Sequence, residues 1–138
     1  MRRLSMCALL VVSMLAACKP AQVTSRLPGE VTMKLVCLAD GGFEFSLSPW
    51  SVSLPDSAGS FTWINDQASN VDAEITSQNP HFPFNGQSIH ATHGGKGIGK
   101  PVSHTPAGRY KYNVTANCPG GGPKVVIDPD MIIPTLIE

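Results

Sequence analysis

The chain has 138 residues, ten acidic and ten basic side chains, and a hydrophobic content of 42%, which suits one globular domain and leaves no room for two. Charged residues make up 14% against a usual ~25%, and the net charge is zero. Electrostatic capture of nucleic acid and a polybasic membrane patch therefore have no support, and a disordered chain, a collagen-like repeat and a multi-span membrane protein are excluded.

Arg2 and Arg3 precede an apolar run from Leu4 to Ala17, the pattern of a cleaved export signal. At about fourteen residues the run is short of the ~20 needed for a permanent transmembrane helix, and it ends at Leu15-Ala16-Ala17-Cys18. This tetrad resembles the lipobox of bacterial lipoproteins. The resemblance implies cleavage before Cys18, a diacylglycerol on its thiol and a further acyl chain on the new amino terminus. Three chains make a lasting anchor, since each buried methylene contributes ~0.8 kcal/mol. Cys7 is the poorer candidate, because so few residues precede it. The expected organisation is a signal peptide over 1–17, a lipidated terminus and tether over 18–30 broken by Pro20 and Pro28, and a domain over 31–138. Lys19 stands where an Asp favours inner-membrane retention in enterobacterial lipoproteins, which points to the outer membrane, facing the periplasm.

From Val31 the pattern has period two, with Val31, Met33, Leu35 and Cys37 on one face and Thr32 and Lys34 on the other, as in a half-buried strand. After Asp40-Gly41-Gly42 come Phe43, Phe45 and Leu47, a break at Pro49, and then Trp50, Val52 and Leu54. Phe61 and Trp63 alternate within Ser60 to Asn65, and Val71, Ala73 and Ile75 alternate with Asp72 and Glu74. Gly108 to Ala116 carries Tyr110, Tyr112 and Val114 on one face, and Lys124 to Ile127 closes the series. No stretch after the signal sustains a helical period. Six to eight short strands separated by turn residues predict an all-β, antiparallel β-sandwich.

Ser77 to Pro106 interrupts this series with four prolines, five glycines and all four histidines, His81, His90, His93 and His104. A loop of that length is a binding loop or a flexible insertion. The clustered histidines are the one local hint of chemistry.

Ser60-Phe61-Thr62-Trp63-Ile64-Asn65 followed by Val71 resembles the cupredoxin strand in which a valine or threonine, a tryptophan and an asparagine precede a histidine copper ligand. Gly108 to Val114, followed by Val125-Val126-Ile127, is similar to the final cupredoxin hairpin, and Ile127 to Ile133 resembles the end of copper-free cupredoxin-like domains in exported bacterial proteins. The resemblance covers roughly Phe43 to Ile133 and implies a Greek-key sandwich. A blue-copper site needs two histidines, a cysteine thiolate and usually a methionine. Ser69 and Asn70 stand near the first histidine position, no histidine follows His104, and Met131 lies beyond the closing strand. The resemblance is thus to a module without the blue-copper ligands.

His90-x-x-His93, with His81 and His104, is a weak zinc or copper(II) pattern, as imidazoles suit both metals but no cysteine or carboxylate alternates with them. No resident cofactor is expected. Gly94 to Lys100 has P-loop spacing, but Pro101 occupies the magnesium-binding Ser or Thr position and no βαβ unit surrounds it. No Gly-x-Ser-x-Gly elbow is present. With the signal removed and Cys18 acylated, Cys37 and Cys118 are the remaining cysteines in an oxidising compartment and are expected to pair. The combined expectation is a lipid-anchored envelope module that binds a partner or has a structural role, without catalytic activity. The alternative is a periplasmic metal-binding protein using the loop histidines.

Overall fold

The first strand, β1 (Glu30–Cys37), follows its alternation: Val31, Met33 and Leu35 are fully buried while Lys34 is exposed. It belongs to a computed structural model that describes residues 27–56 and 59–134. The expected signal peptide over 1–17, the expected lipidation site Cys18 and the expected tether up to residue 26 lie outside the described residues. At the end of β1 the chain turns at Gly41, whose φ of 87° suits a residue without a Cβ. Asp40 Oδ1 accepts the Gly42 N–H at 2.9 Å, and β2 (Phe43–Ser48) returns antiparallel with Leu35 opposite Phe45.

The remaining strands are β3 (Ser51–Ser53), β4 (Phe61–Asn65), β5 (Ala73–Ser77), β6 (Ile89–Ala91), β7 (Lys96–Gly99), β8 (Gly108–Asn117), β9 (Lys124–Ile127) and β10 (Asp130–Ile133). They form a four-stranded sheet, in order β2-β1-β4-β7, and a six-stranded sheet, in order β3-β10-β8-β5-β6 with β9 also on β8. β9 and β10 run along one side of β8 in unchanged register across Asp128-Pro129, with the Tyr112 N–H donating to Pro129 O between them.

The described residues contain ten strands, not six to eight, and the sheets are mixed, not wholly antiparallel. β1 and β4 run parallel, as do β3 and β10. The cause is connectivity. Pro49 ends β2, and the chain crosses to the other sheet as β3. It then returns to the first sheet as β4, and a strand returning by such a crossover lies parallel beside β1. Alternation in sequence assigns a face to each residue, but it does not assign a neighbour to each strand.

The two sheets share one core. Met33, Leu35, Phe61 and Trp63 from the first meet Ile75, Tyr112, Val114 and Met131 from the second. Trp63 packs edge-on against Tyr112, ring centroids 5.5 Å apart. Burial pushes the Tyr112 hydroxyl up to about 12, an effect opposed by the neighbouring Trp63 indole and reinforced by the charge of Asp130.

The presumed loop from Ser77 to Pro106 is ordered and contains β6 and β7. Asn79 Oδ1 accepts the backbone N–H groups of His81 and Phe82. Ser77 Oγ donates to Phe82 O. These bonds deliver Phe84 into the core, edge-on to both Phe61 and Trp63. The glycines of β7 allow close approach and are not a flexible linker. A Cβ on Gly97 would stand 2.8 Å from His90 O, and one on Gly99 would stand 3.0 Å from the Trp63 ring. β7 at the edge of one sheet therefore lies directly against β6 at the edge of the other.

Candidate functional site

Cys37 ends β1 in the first sheet and Cys118 follows β8 in the second, and the two form a disulfide with Cα atoms 5.7 Å apart. The pairing expected from cysteine arithmetic is present, and it staples the two sheets together at one end. Ser69 and Asn70, the residues near the first histidine position of the cupredoxin pattern, hold β1 against this staple. Ser69 Oγ accepts the Leu35 N–H at 2.9 Å. Asn70 brackets Cys37: its Oδ1 accepts the cysteine N–H at 2.8 Å and its Nδ2 donates to the cysteine carbonyl at 2.9 Å. Buried Asn65 continues the ties, its Nδ2 donating to Val71 O and Ala91 O. In this chain these polar side chains are committed to backbone groups.

Two clefts meet at the stapled end, sharing Asn70 and Pro119. The first, about 440 Å³, runs along the disulfide between the Gly41-Gly42 turn and the Gly120-Gly121-Gly122 loop. Its walls are mostly backbone and small side chains. The second, about 580 Å³, is lined by Asp72, Glu74, His90, His93, Thr115 and Asn117 among others. β5 supplies Glu74 directly opposite His90 of β6. The turn after β6 brings His93, whose N–H donates to Asp72 Oδ1 at 2.8 Å and whose Nε2 lies 3.1 Å from Gln67 O.

The structure thus brings together two of the four candidate histidines and leaves two elsewhere. His81 lies in the turn before Phe84, and His104 sits at φ 61° in the turn before β8. Among the described residues no group of three or more His, Cys, Asp or Glu side chains is placed to hold a metal ion. The residues that sequence reasoning left out of the site are Asp72 and Glu74. Their signal was present in the alternation with Val71, Ala73 and Ile75, which marks them as outward-facing. What sequence could not supply was the β5–β6 pairing that sets Glu74 beside His90.

A second polar cluster lies on the face of β8 and β10. Asp130, with its side chain 11% exposed, has Arg109 Nη1 at 3.0 Å and Lys111 Nζ at 3.2 Å. Lys111 also donates to Asp128 O. This cluster fastens β10 to β8 at Asp130 opposite Lys111. Among the described residues no helix is long and apolar enough to cross a membrane. No family model matches the chain, and no curated protein is significantly similar to it.

Proposed function

We propose that this chain is a lipid-anchored module of the bacterial cell envelope, a copper-free β-sandwich of cupredoxin-like Greek-key form that binds a partner at its stapled end and performs no catalysis. The observation that carries this reading is the Cys37–Cys118 bridge, since such bonds persist in oxidising compartments. The bridge also rigidifies the end where the two clefts meet. The export signal, the lipobox-like Leu15 to Cys18 and Lys19 support attachment through Cys18 to the outer membrane, facing the periplasm. The Asp72, Glu74, His90 and His93 cleft gives the stapled end its polar character, and the disulfide cleft beside it presents glycine backbone.

The test places a photo-reactive side chain at Asn117 in the full chain in intact cells. The reading expects one discrete adduct that disappears when Asp72→Lys and Glu74→Lys are introduced together. An adduct equally abundant in that double variant, or none at all, would contradict it.

A second reading, periplasmic binding of Zn(II) or Cu(II), rests on His90 and His93 lining one cleft with two carboxylates. Calorimetric titration distinguishes it: submicromolar, stoichiometric binding lost in His90→Ala, His93→Ala would favour metal over a partner. Any bound copper would have nitrogen and oxygen ligands, because the bridged cysteines offer no thiolate, so no intense band near ~600 nm is expected.

A further inference from the structure

We infer that β2 is a self-association edge, through which two copies of this chain join about a two-fold axis at Phe45. β2 is the outer strand of its sheet among the described residues, and at six residues it is longer than β3, β6 or β7 at the other sheet ends. Natural edges of this kind are usually blunted by lysine, proline or a bulge. β2 instead carries Phe43, Phe45 and Leu47 on the face it shares with Leu35 and Cys37 of β1. Phe45 lies on that core-facing side and is nevertheless 49% exposed, stacked on Phe43 with centroids 6.5 Å apart. The apolar face of the first sheet therefore overhangs the second sheet at this edge.

A second copy is the occupant that the residues of both faces fit. Antiparallel pairing about Phe45 sets Phe45 against its own mate, Phe43 against Leu47 and Glu44 against Ser46. Aromatic and aliphatic cross-strand pairs of this type are favourable, and no like charges face each other. The opposite face supplies charge complementarity. Lys34 is the cross-strand neighbour of Ser46 on one side, and the second copy's Glu44 lies on the other. Two strand spacings, roughly 10 Å, separate Lys34 and that glutamate across a small serine, a gap their long side chains close. A shallow depression of about 120 Å³ lined by Lys34, Glu44, Ser46 and Phe45 already exists along this stretch of β2, and neither Lys34 nor Glu44 has an ion-pair partner among the described residues. A closed two-fold contact uses both edges and leaves no end for a filament to grow from.

The test uses the full chain in intact cells, with p-benzoylphenylalanine in place of Ser46. The expected product is a covalent dimer whose crosslinked peptides both span 42–48, and the same probe in place of Ile98 on β7 yields none. Phe45→Lys sets like charges face to face on the axis and lowers the dimer yield by about tenfold or more. Co-expressing Phe45→Lys and Phe45→Glu copies restores it, which a folding defect does not do. Crosslinking to segment 19–26 of the same chain, to a different protein, or to no product overturns the inference. So does loss in both single variants without recovery in the mixture.

Discussion

Tyr112 and Gly99 show how much depends on single positions in this core. The Tyr112 hydroxyl and the Trp63 indole nitrogen are both buried without a hydrogen bond of full geometry. The raised tyrosine pKa makes the neutral phenol the form that the fold favours. Its contribution is fully present below the ordinary value of 10 and is lost as pH rises through about 12. Two pH units correspond to about 2 to 3 kcal/mol. Denaturant titrations are therefore expected to show falling stability between pH 10 and 12, and Tyr112→Phe is expected to flatten much of that slope at a cost of about 1 kcal/mol at neutral pH, because the buried Trp63 indole N–H loses the oxygen beside it. An unchanged slope in Tyr112→Phe would assign alkaline unfolding to other groups. Gly99→Ala tests packing at the opposite extreme. Its new methyl would meet Ile89 Cδ1 at 2.5 Å, the Trp63 ring at 3.0 Å and the Phe84 ring at 3.1 Å. The aliphatic tip can rotate away, but the two core rings cannot, so a loss of about 1 to 3 kcal/mol is expected by thermal or chemical unfolding. A neutral Gly99→Ala would mean that β7 is not held against the core.

At the scale of elements, the strands were legible where one face is buried and the other wet. β1, β4 and β5 follow their alternation in burial, because each presents one face to a single core. β6 and β7 were illegible for a physical reason. β6 has three residues, and β7 is half glycine, so neither carries enough apolar alternation to register as a strand. They are strands because β5 and β4 pair with them, and Gly97 and Gly99 let β7 pack closely against β6 and the core rings. The aromatic pattern of β2 was legible too, yet it overstated burial, since an edge strand can point Phe45 toward the core side and still leave it half in water. The 66–70 segment is the element most open to a direct test. Ser69→Ala leaves the buried Leu35 N–H without its acceptor and is expected to cost about 1 to 3 kcal/mol. Asn70→Ala removes two bonds at an exposed position and is expected to cost less. Measured unfolding free energies in the reverse order would contradict the bracing assigned to this segment.

For the whole molecule, the bridge between Cys37 and Cys118 ties the two sheets together, and the proposed anchor at Cys18 would tie the fold to a membrane. Cys37 and Cys118 were legible as a pair because the expected removal of the signal and acylation of Cys18 leave no other cysteines, although nothing in the sequence indicated that they lie at strand ends in opposite sheets. The separation of 81 residues corresponds to about 4 to 5 kcal/mol in the chain-entropy model, a large share of the ~5 to 15 kcal/mol that holds a domain folded. Cys37→Ser, Cys118→Ser is expected to lose a comparable amount in denaturant unfolding and to soften the end where the clefts meet. The site was less legible than the fold: His90 and His93 were visible as a motif, but the cleft they share with Asp72 and Glu74 exists only once β5 and β6 pair. The most direct measurement of the account is the intact mass of the protein extracted from membranes of the producing cells after alkylation without reductant. The expected species begins at Cys18, carries three acyl chains, takes up no alkyl group on Cys37 or Cys118, and has two hydrogens fewer than the reduced polypeptide. A species retaining residues 1–17, lacking acyl chains or alkylated at both cysteines would contradict it.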